Sequence, residues 1–531
     1  MHGISGRRLL LTDEAIAQAA LDAGIGGAYA YPGTPSTEIL EYIQQAPEAR
    51  ERGVHRLWSV NEKTALEEGL GHSYAGRRAL VAMKHVGLNV AADPFVNAAI
   101  TGVNGGLVLV VADDPSMHSS QNEQDSRFYA GFAGIPLLEP ATQQEAYEMT
   151  RAAFDWSEQW KIPILIRIVT RLAHSRADVV TTPPIEPVRL ELPQDPRQFV
   201  LLPANARRNY ERLLDQQAVF QAHSEASPYN VRTGGRRRDR GVIAAGIAYN
   251  YLMEAFTDTG ECPWPVLAIR EYPLPAAAIA RLAADVDSLL ILEEGAPLIE
   301  SRLRGLLPGG KPIHGRMDGT LPRSGELTPD GVSAALGLGR PKPAPVPTVV
   351  RPRPPMLCAG CPHADTYRFL KEFMADHPAG RVFADIGCYT LGALPPFEAI
   401  SSCVDMGASI TMAKGAADAG LTPAIAVIGD STFTHSGLTG LLDAVMENTS
   451  MTVLILDNET TGMTGCQTSP ATGRLERIIA GLGVDAAHLR VVIPLSKNHD
   501  KNLQVLREEA AYPGISVIIS RRVCLQAVPK G

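Results

Sequence analysis

One segment, residues 424–465, limits what this chain can fold into more than any other. It reads AIAVIGD, then Ser431 and Thr432, a helical stretch, the apolar run MTVLILDN, and finally ETTGMTG. An apolar strand thus ends at Gly429-Asp430, a helix follows, and a second strand ends at Asp457-Asn458. In an open parallel sheet the carboxyl ends of the strands form the ligand crevice. Asp430 and Asn458, 28 positions apart, are therefore expected side by side on its lip.

The residue types at that lip favour one chemistry. A carboxylate, a side-chain amide oxygen and a backbone carbonyl such as that of Thr460 are hard oxygen ligands, suited to Mg²⁺ that already holds a diphosphate. Backbone amides at the following helix start, around Ser431 and Thr432, can receive phosphate oxygens. Gly429 and the loop carrying Met463 and Thr464 complete the pattern. A lone Gly-Asp after a strand would be weak evidence, because many strand ends carry Asp for turn reasons. The spaced Asn and the Gly-Met-Thr-Gly loop make the diphosphate–metal reading the better one.

The chain has 531 residues, too many for one core, and its net charge is −8. That balance argues against nucleic acid as the main partner. The one basic run, Arg236-Arg237-Arg238-Asp239-Arg240, reads as a solvated loop. No run approaches the ~18 apolar residues that span a bilayer, no secretory signal is visible, and seven cysteines without a framework pattern suit a reducing cytoplasm. A soluble, cytoplasmic protein without membrane partners is expected.

The pattern along the chain is α/β. DEAIAQAALDAG reads as an amphipathic helix, GAYAYPG as a short strand and STEILEYIQQA as a helix. RALVAMK, GLVLVVADD and IPILIRIV read as buried strands. Such alternation signals parallel sheets flanked by helices. Residues 186–240 look like a connector with one helix around NYERLLDQQAVFQAH, followed by strands at GVIAAGI, WPVLAI and SLLILEEG. Seven prolines in the fifteen residues 341–355 mark a stiff linker. Three α/β modules result: 1–185, 186–340 with its connector, and 357–531 after a linker at 341–356.

Several local motifs occur in order: Tyr31-Pro-Gly-Thr-Pro-Ser, Asn61-Glu-Lys, Met83-Lys-His-Val-Gly-Leu-Asn, Cys358-Ala-Gly-Cys-Pro-His, Ile386-Gly-Cys-Tyr-Thr-Leu-Gly and Gly429-Asp-Ser-Thr-Phe. Together they resemble the large subunits of indolepyruvate:ferredoxin oxidoreductases, thiamine-diphosphate enzymes of the 2-oxoacid:acceptor oxidoreductase superfamily, over nearly the whole chain. The resemblance implies a pyrimidine-binding module first, a transketolase-carboxyl-terminal-like module second and a diphosphate-binding module last. It implies thiamine diphosphate bridging the first and last modules, a dimer core, and a separate small partner subunit of the β/γ type.

It also implies residue roles. Glu62, opening the helix EKTALEEGLGHSYAG, is expected to bond the cofactor's pyrimidine ring and promote its reactive tautomer; otherwise it is a first-turn acid complementing the helix dipole. Glu67 and Glu68, further along, read as solvated helix-face acids. Thr34 is expected to bind a substrate carboxylate or else to cap a helix. His85, with Lys84 after a buried strand, is a candidate for substrate binding or proton transfer, and Gln121 and Arg127 are weaker ones. Gly87, Gly387, Cys388 and Tyr389 are expected along the cofactor. So is the loop of Cys358, Gly360, Cys361 and His363, which otherwise mimics a metal pattern lacking a second pair. Cys262, Cys403 and Cys524 read as incidental thiols, and Cys466 has no assigned chemistry. Gly33 and Met463, where pyruvate-type relatives carry Ile and Asn, favour a large aromatic substrate.

Relatives of this kind continue into a ferredoxin-like tail with Cys-x2-Cys-x2-Cys-x3-Cys-Pro spacing, and no such run occurs here. Iron–sulfur or flavin groups are therefore expected only on partner subunits or ferredoxin, and the chain alone is expected to be free of iron. Two activities compete. One is oxidative decarboxylation of an aryl-2-oxoacid to its acyl-coenzyme A, with electrons leaving through another subunit. The other is a non-oxidative decarboxylase or carboligase.

Overall fold

The structure is a computed structural model, and it describes residues 6–187, 190–257, 260–307, 310–338, 347–351 and 355–527. The chain divides into two compact units, Met1–Ala344 and Pro345–Gly531. Much of the proline-rich segment lies outside the described residues; its described part, 347–351, is exposed.

The first unit holds a six-stranded and a five-stranded sheet around one continuous core. In the six-stranded sheet Gly27–Ala30, Ala79–Lys84, Leu107–Asp113, Ile164–Val169 and Leu137–Leu138 run parallel, in that order across the sheet. These are the runs read from the sequence as strands, plus a two-residue strand too short to show a period. Glu271–Tyr272 then adds antiparallel to Leu137–Leu138, so the chain that builds the second sheet also extends the first. The second sheet is parallel through Ile313–His314, Leu289–Leu292, Gly241–Ala245 and Val266–Ile269. Arg232–Thr233, within the expected connector, closes it as an antiparallel edge. The connector's helix is longer than its apolar spacing suggested, running Pro203–Ala226.

Two expectations need correction here. The helix Thr12–Asp22 is not amphipathic in effect, because nearly all of it is buried. Ile16, Ala17, Ala20 and Leu21 face the main core. Ala15 and Ala19 meet Leu10, Tyr147 and Val179, under the antiparallel ribbon of Arg7–Leu11 and Arg176–Val180. Alanines on every face let a second layer approach, and composition alone does not show that layer. Arg127 does not line an open site either. It is buried against Asp125 and Glu293 (2.9 Å), and beside it Arg167 bridges Asp113 and Glu139. These guanidiniums pair with four carboxylates inside the unit, as such burial demands. The basic run is also partly spent internally: Arg237 pairs with Asp239, and both Arg237 and Arg240 lie over the Trp264 ring.

The second unit is one six-stranded, all-parallel sheet flanked by helices. Across it stand Ser402–Cys403, Arg381–Ala384, Ala424–Gly429, Met451–Asp457, Ile515–Arg521 and Leu489–Val492. In chain order this is 2-1-3-4-6-5, so the connections reverse between Arg381–Ala384 and Ala424–Gly429. That reversal opens a crevice beyond the strand ends. Among the described residues no helix is long and apolar enough to cross a membrane.

Candidate active site

In the second unit the register places Gly429 beside Leu456, so Asp430 and Asn458 emerge from neighbouring strand ends, as their spacing predicts. Asp430 begins a helical run and is 2% exposed, yet its Oδ2 has no hydrogen-bond partner. Burial, with Asp457 adding repulsion, pushes its pKa up to about 7. A buried carboxylate with an orphaned oxygen is a ligand in want of a cation. Beside it Asn458 Oδ1 accepts from the Thr460 amide (3.2 Å), and Ser431 and Thr461 share a hydroxyl hydrogen bond of 2.7 Å. Thr460 and Thr461 pair with Thr468 and Gln467 in a small ribbon. The tip of this ribbon is held by Thr464 Oγ1 bonding Gln467 (2.6 Å) and exposes Met463. The donor set fits a Mg²⁺-bound diphosphate.

The other wall of the crevice carries a residue that local pattern did not single out. Asp385 ends the strand Arg381–Ala384 and is wholly buried. Its carboxylate accepts from the Tyr389 hydroxyl, from Ser409 Oγ (2.6 Å), and from the Gly407 and Ser409 amides (3.1 Å each). Burial raises its pKa to about 6. Asp385 therefore ties the 386–390 loop to the helix starting at Ala408. The Tyr389 side chain is turned inward: a Cβ on Gly387 or Gly429 would lie 2.4 or 2.6 Å from its ring. Thr432 Oγ1 donates to the Ile386 carbonyl (3.0 Å) and joins the two walls.

The Cys358–Cys361 loop corrects a further expectation. Gly360 sits at φ +76°, in the left-handed region that glycine tolerates, and Cys361 N bonds the Cys358 carbonyl (3.0 Å). Cys358 and Cys361 are not an isolated pair. Cys388 and Cys524 line the same pocket, and a Cβ on Gly462 would touch both of their sulfurs (3.5 and 3.9 Å). Burial and the neighbouring thiols push the Cys388 pKa up to about 12. A single zinc ion draws four sulfurs to within about 3.8 Å of each other. Among the described residues these thiols form no group that tight. Four converging thiols held further apart fit a larger iron–sulfur core. His363 is buried at the same pocket with its pKa lowered to about 4, and the Asn458 amide donates to its neutral ring (3.4 Å).

In the first unit Glu62 is the first helical residue after Asn61, whose side chain caps the helix by accepting from the Thr64 amide (2.8 Å). Glu62 is 4% exposed and packs on Gly87, where a Cβ would stand 2.6 Å from its Cγ. Lys84 reaches past Gly33 to the Ser119 carbonyl (2.8 Å). Burial lowers its pKa to about 8 against the pull of Asp114 and Glu62. The fold thus gathers Gly33, Glu62, Lys84 and Gly87, with Thr34 half-buried next to Gly33. His85 is buried, which lowers its pKa: Nε2 faces the Asn122 carbonyl (3.2 Å), and Nδ1 has no hydrogen-bond partner. Gln121, Glu67 and Glu68 are exposed.

Residues 18–231 match the family described as pyruvate flavodoxin/ferredoxin oxidoreductase, thiamine-diphosphate binding, and residues 385–491 match the carboxyl-terminal binding domain of thiamine pyrophosphate enzymes. The indolepyruvate oxidoreductase subunit IorA of Archaeoglobus fulgidus is 38% identical over 97% of this chain and 86% of its own length. That of Thermococcus kodakarensis is 36% identical over 98% and 86%. A solved 2-oxoglutarate:ferredoxin oxidoreductase from Magnetococcus marinus superposes with a TM-score of 0.51 at 16% identity, covering 63% of this chain and 65% of that one, and shares the fold.

Proposed function

Because the chain belongs to the family of indolepyruvate oxidoreductase IorA subunits, we propose that it oxidatively decarboxylates an aryl-2-oxoacid to the acyl-coenzyme A, passing electrons on through partner subunits to ferredoxin. At the coarser level it is a catalytic subunit of a thiamine-diphosphate-dependent 2-oxoacid:ferredoxin oxidoreductase. The observation that carries the cofactor assignment is the buried, partnerless Asp430 oxygen beside Asn458. Asp430, Asn458 and the Thr460 carbonyl would hold Mg²⁺ and, through it, the diphosphate. Thiamine diphosphate supplies the electron sink that decarboxylation of a 2-oxoacid requires. Glu62 would bond the pyrimidine ring nitrogen, Thr34 would hold the substrate carboxylate, and His85 would position the substrate or carry a proton.

An aromatic substrate is supported by the names of the relatives, by the side chain missing at Gly33 and by the exposed Met463. Coenzyme A as cosubstrate is supported by the solved relative, which holds coenzyme A and succinyl-coenzyme A. Cys358, Cys361, Cys388 and Cys524 would ligate an iron–sulfur cluster able to accept electrons one at a time. A dimer core and a small β/γ-type partner remain part of this reading.

Three measurements test it. Asp430→Ala should lose Mg²⁺-dependent retention of thiamine diphosphate on gel filtration, and full occupancy in the variant would sink the assignment. Chain purified without oxygen should contain about four iron and four sulfide per polypeptide, lost in Cys388→Ser; an iron-free wild type returns the redox group to the partners. Aldehyde release without acyl-coenzyme A from the assembled complex would put the non-oxidative activity ahead.

A further inference from the structure

Outside this site, three ligand-type side chains meet in the first unit. Asp13 is the second residue of the helix Thr12–Asp22, Glu38 the second of the helix Thr37–Gln45, and His174 follows the short helix Thr170–Ala173. One ligand atom from each lies within 4.8 Å of the other two, with His174 Nε2 3.5 Å from Glu38 Oε1. Among the described residues no other group of histidine, cysteine and carboxylate side chains is so close.

The electrostatics set this cluster apart from the unit's other buried acids. Asp113, Asp125 and Glu139 each face Arg127 or Arg167. Asp13 is wholly buried, and neither of its oxygens has a hydrogen-bond partner other than Glu38, which it can bond only by sharing a proton. Glu38 Oε2 also lacks one. The charges acting on Asp13 are carboxylates, Glu38 foremost and then Glu14. Glu14 is answered by Arg176 (3.5 Å), but among the described residues no arginine or lysine pairs with Asp13 or Glu38. A buried charge must be paired, neutralised or bound to metal. His174 and Glu38 are about one-third exposed, so the cluster opens to solvent on one side.

We propose that Asp13, Glu38 and His174 form a binding site for a divalent first-row transition ion, with water in its remaining positions. Two carboxylates and one imidazole suit an ion such as Mn²⁺ and not a thiophilic one. The ion would pin the first turn of the helix Thr37–Gln45 to that of Thr12–Asp22. Thr37 Oγ1 accepts from the Gly33 amide (3.1 Å), so the clamp would brace the loop that carries Thr34.

The test is Mn²⁺ binding to the chelator-stripped full chain without thiamine diphosphate, counted from the electron paramagnetic resonance of the free ion. Wild type and Asp430→Ala should each bind one equivalent that Asp13→Asn and His174→Gln lack. The ion bound by Asp430→Ala should show coupling to one imidazole nitrogen. His174 is partly exposed, so its variant reports on binding in an intact fold. Equal stoichiometry in all four proteins, or no Mn²⁺ uptake by wild type because Asp13 and Glu38 share a proton instead, overturns the proposal.

Discussion

Glu62 and Gly87 act as a pair at the residue scale. The carboxylate occupies the space that a side chain at position 87 would fill. Glu62→Gln should leave folding and cofactor binding intact and lower turnover by at least ~10²-fold, the lower end for a positioned acid or base. Near wild-type turnover with cofactor bound would remove Glu62 from the chemistry. Gly87→Ala approaches the same place from the other side, since its methyl must displace the Glu62 stem. It should reduce kcat while circular dichroism stays native, and combining it with Glu62→Gln should add little, because one contact is lost in both. Additive losses would show that the close approach is packing alone.

At the scale of elements, the cap of the helix Glu62–Tyr74 does two jobs. Asn61 accepts from the Thr64 amide and fixes where the helix begins, and hence where Glu62 points. Asn61→Ala should cost about 1 kcal/mol in denaturant unfolding, as lost caps do, and should also depress turnover. Asn61→Asp, which keeps the cap acceptor, should recover most of the stability. A stability loss with turnover untouched would separate the helix start from the catalytic geometry. Asp385 plays a comparable part in the second unit, joining the 386–390 loop to the helix at Ala408 through four hydrogen bonds.

The stability of the molecule as a whole carries the cost of its buried acids. Glu294 is 1% exposed, accepts from the Leu327 amide (2.9 and 3.1 Å), and has its pKa raised by burial to about 7 despite the pull of Arg316. The native state then binds a proton at Glu294 more tightly than the unfolded chain does. This contribution is full below the unfolded value of 4.5 and is lost as pH rises toward 7. A tenfold difference in proton affinity is worth about 1.4 kcal/mol, so the change is on the order of 3 kcal/mol. Unfolding measured at pH 5 and pH 8 should show wild type losing more stability over that interval than Glu294→Gln. Parallel losses would mean that Glu294 is ionised throughout.

Local pattern alone determined much of this protein. Apolar runs ending in Gly-Asp or Asp-Asn set the parallel strands, and Asn61 before a helix-forming run set the start that carries Glu62. Such features depend on neighbours a few positions away, and periodicity records those. Beyond the neighbouring ends that carry Asp430 and Asn458, which strand ends meet was decided only by the tertiary structure. The order 2-1-3-4-6-5 puts Asp385 across the crevice from Asp430. It also gathers Cys358, Cys361, Cys388 and Cys524 from positions 166 apart, so that Cys524, which reads as incidental along the chain, joins a four-thiol pocket. Arg127 reads as a weaker candidate for facing substrate until the seam between two sheets closes over it. Asp13, Glu38 and His174 are three unremarkable positions until a second layer covers an alanine-rich helix. Burial and long-range contact set the charge state and partners of these groups, and neither is written in the spacing of nearby residues.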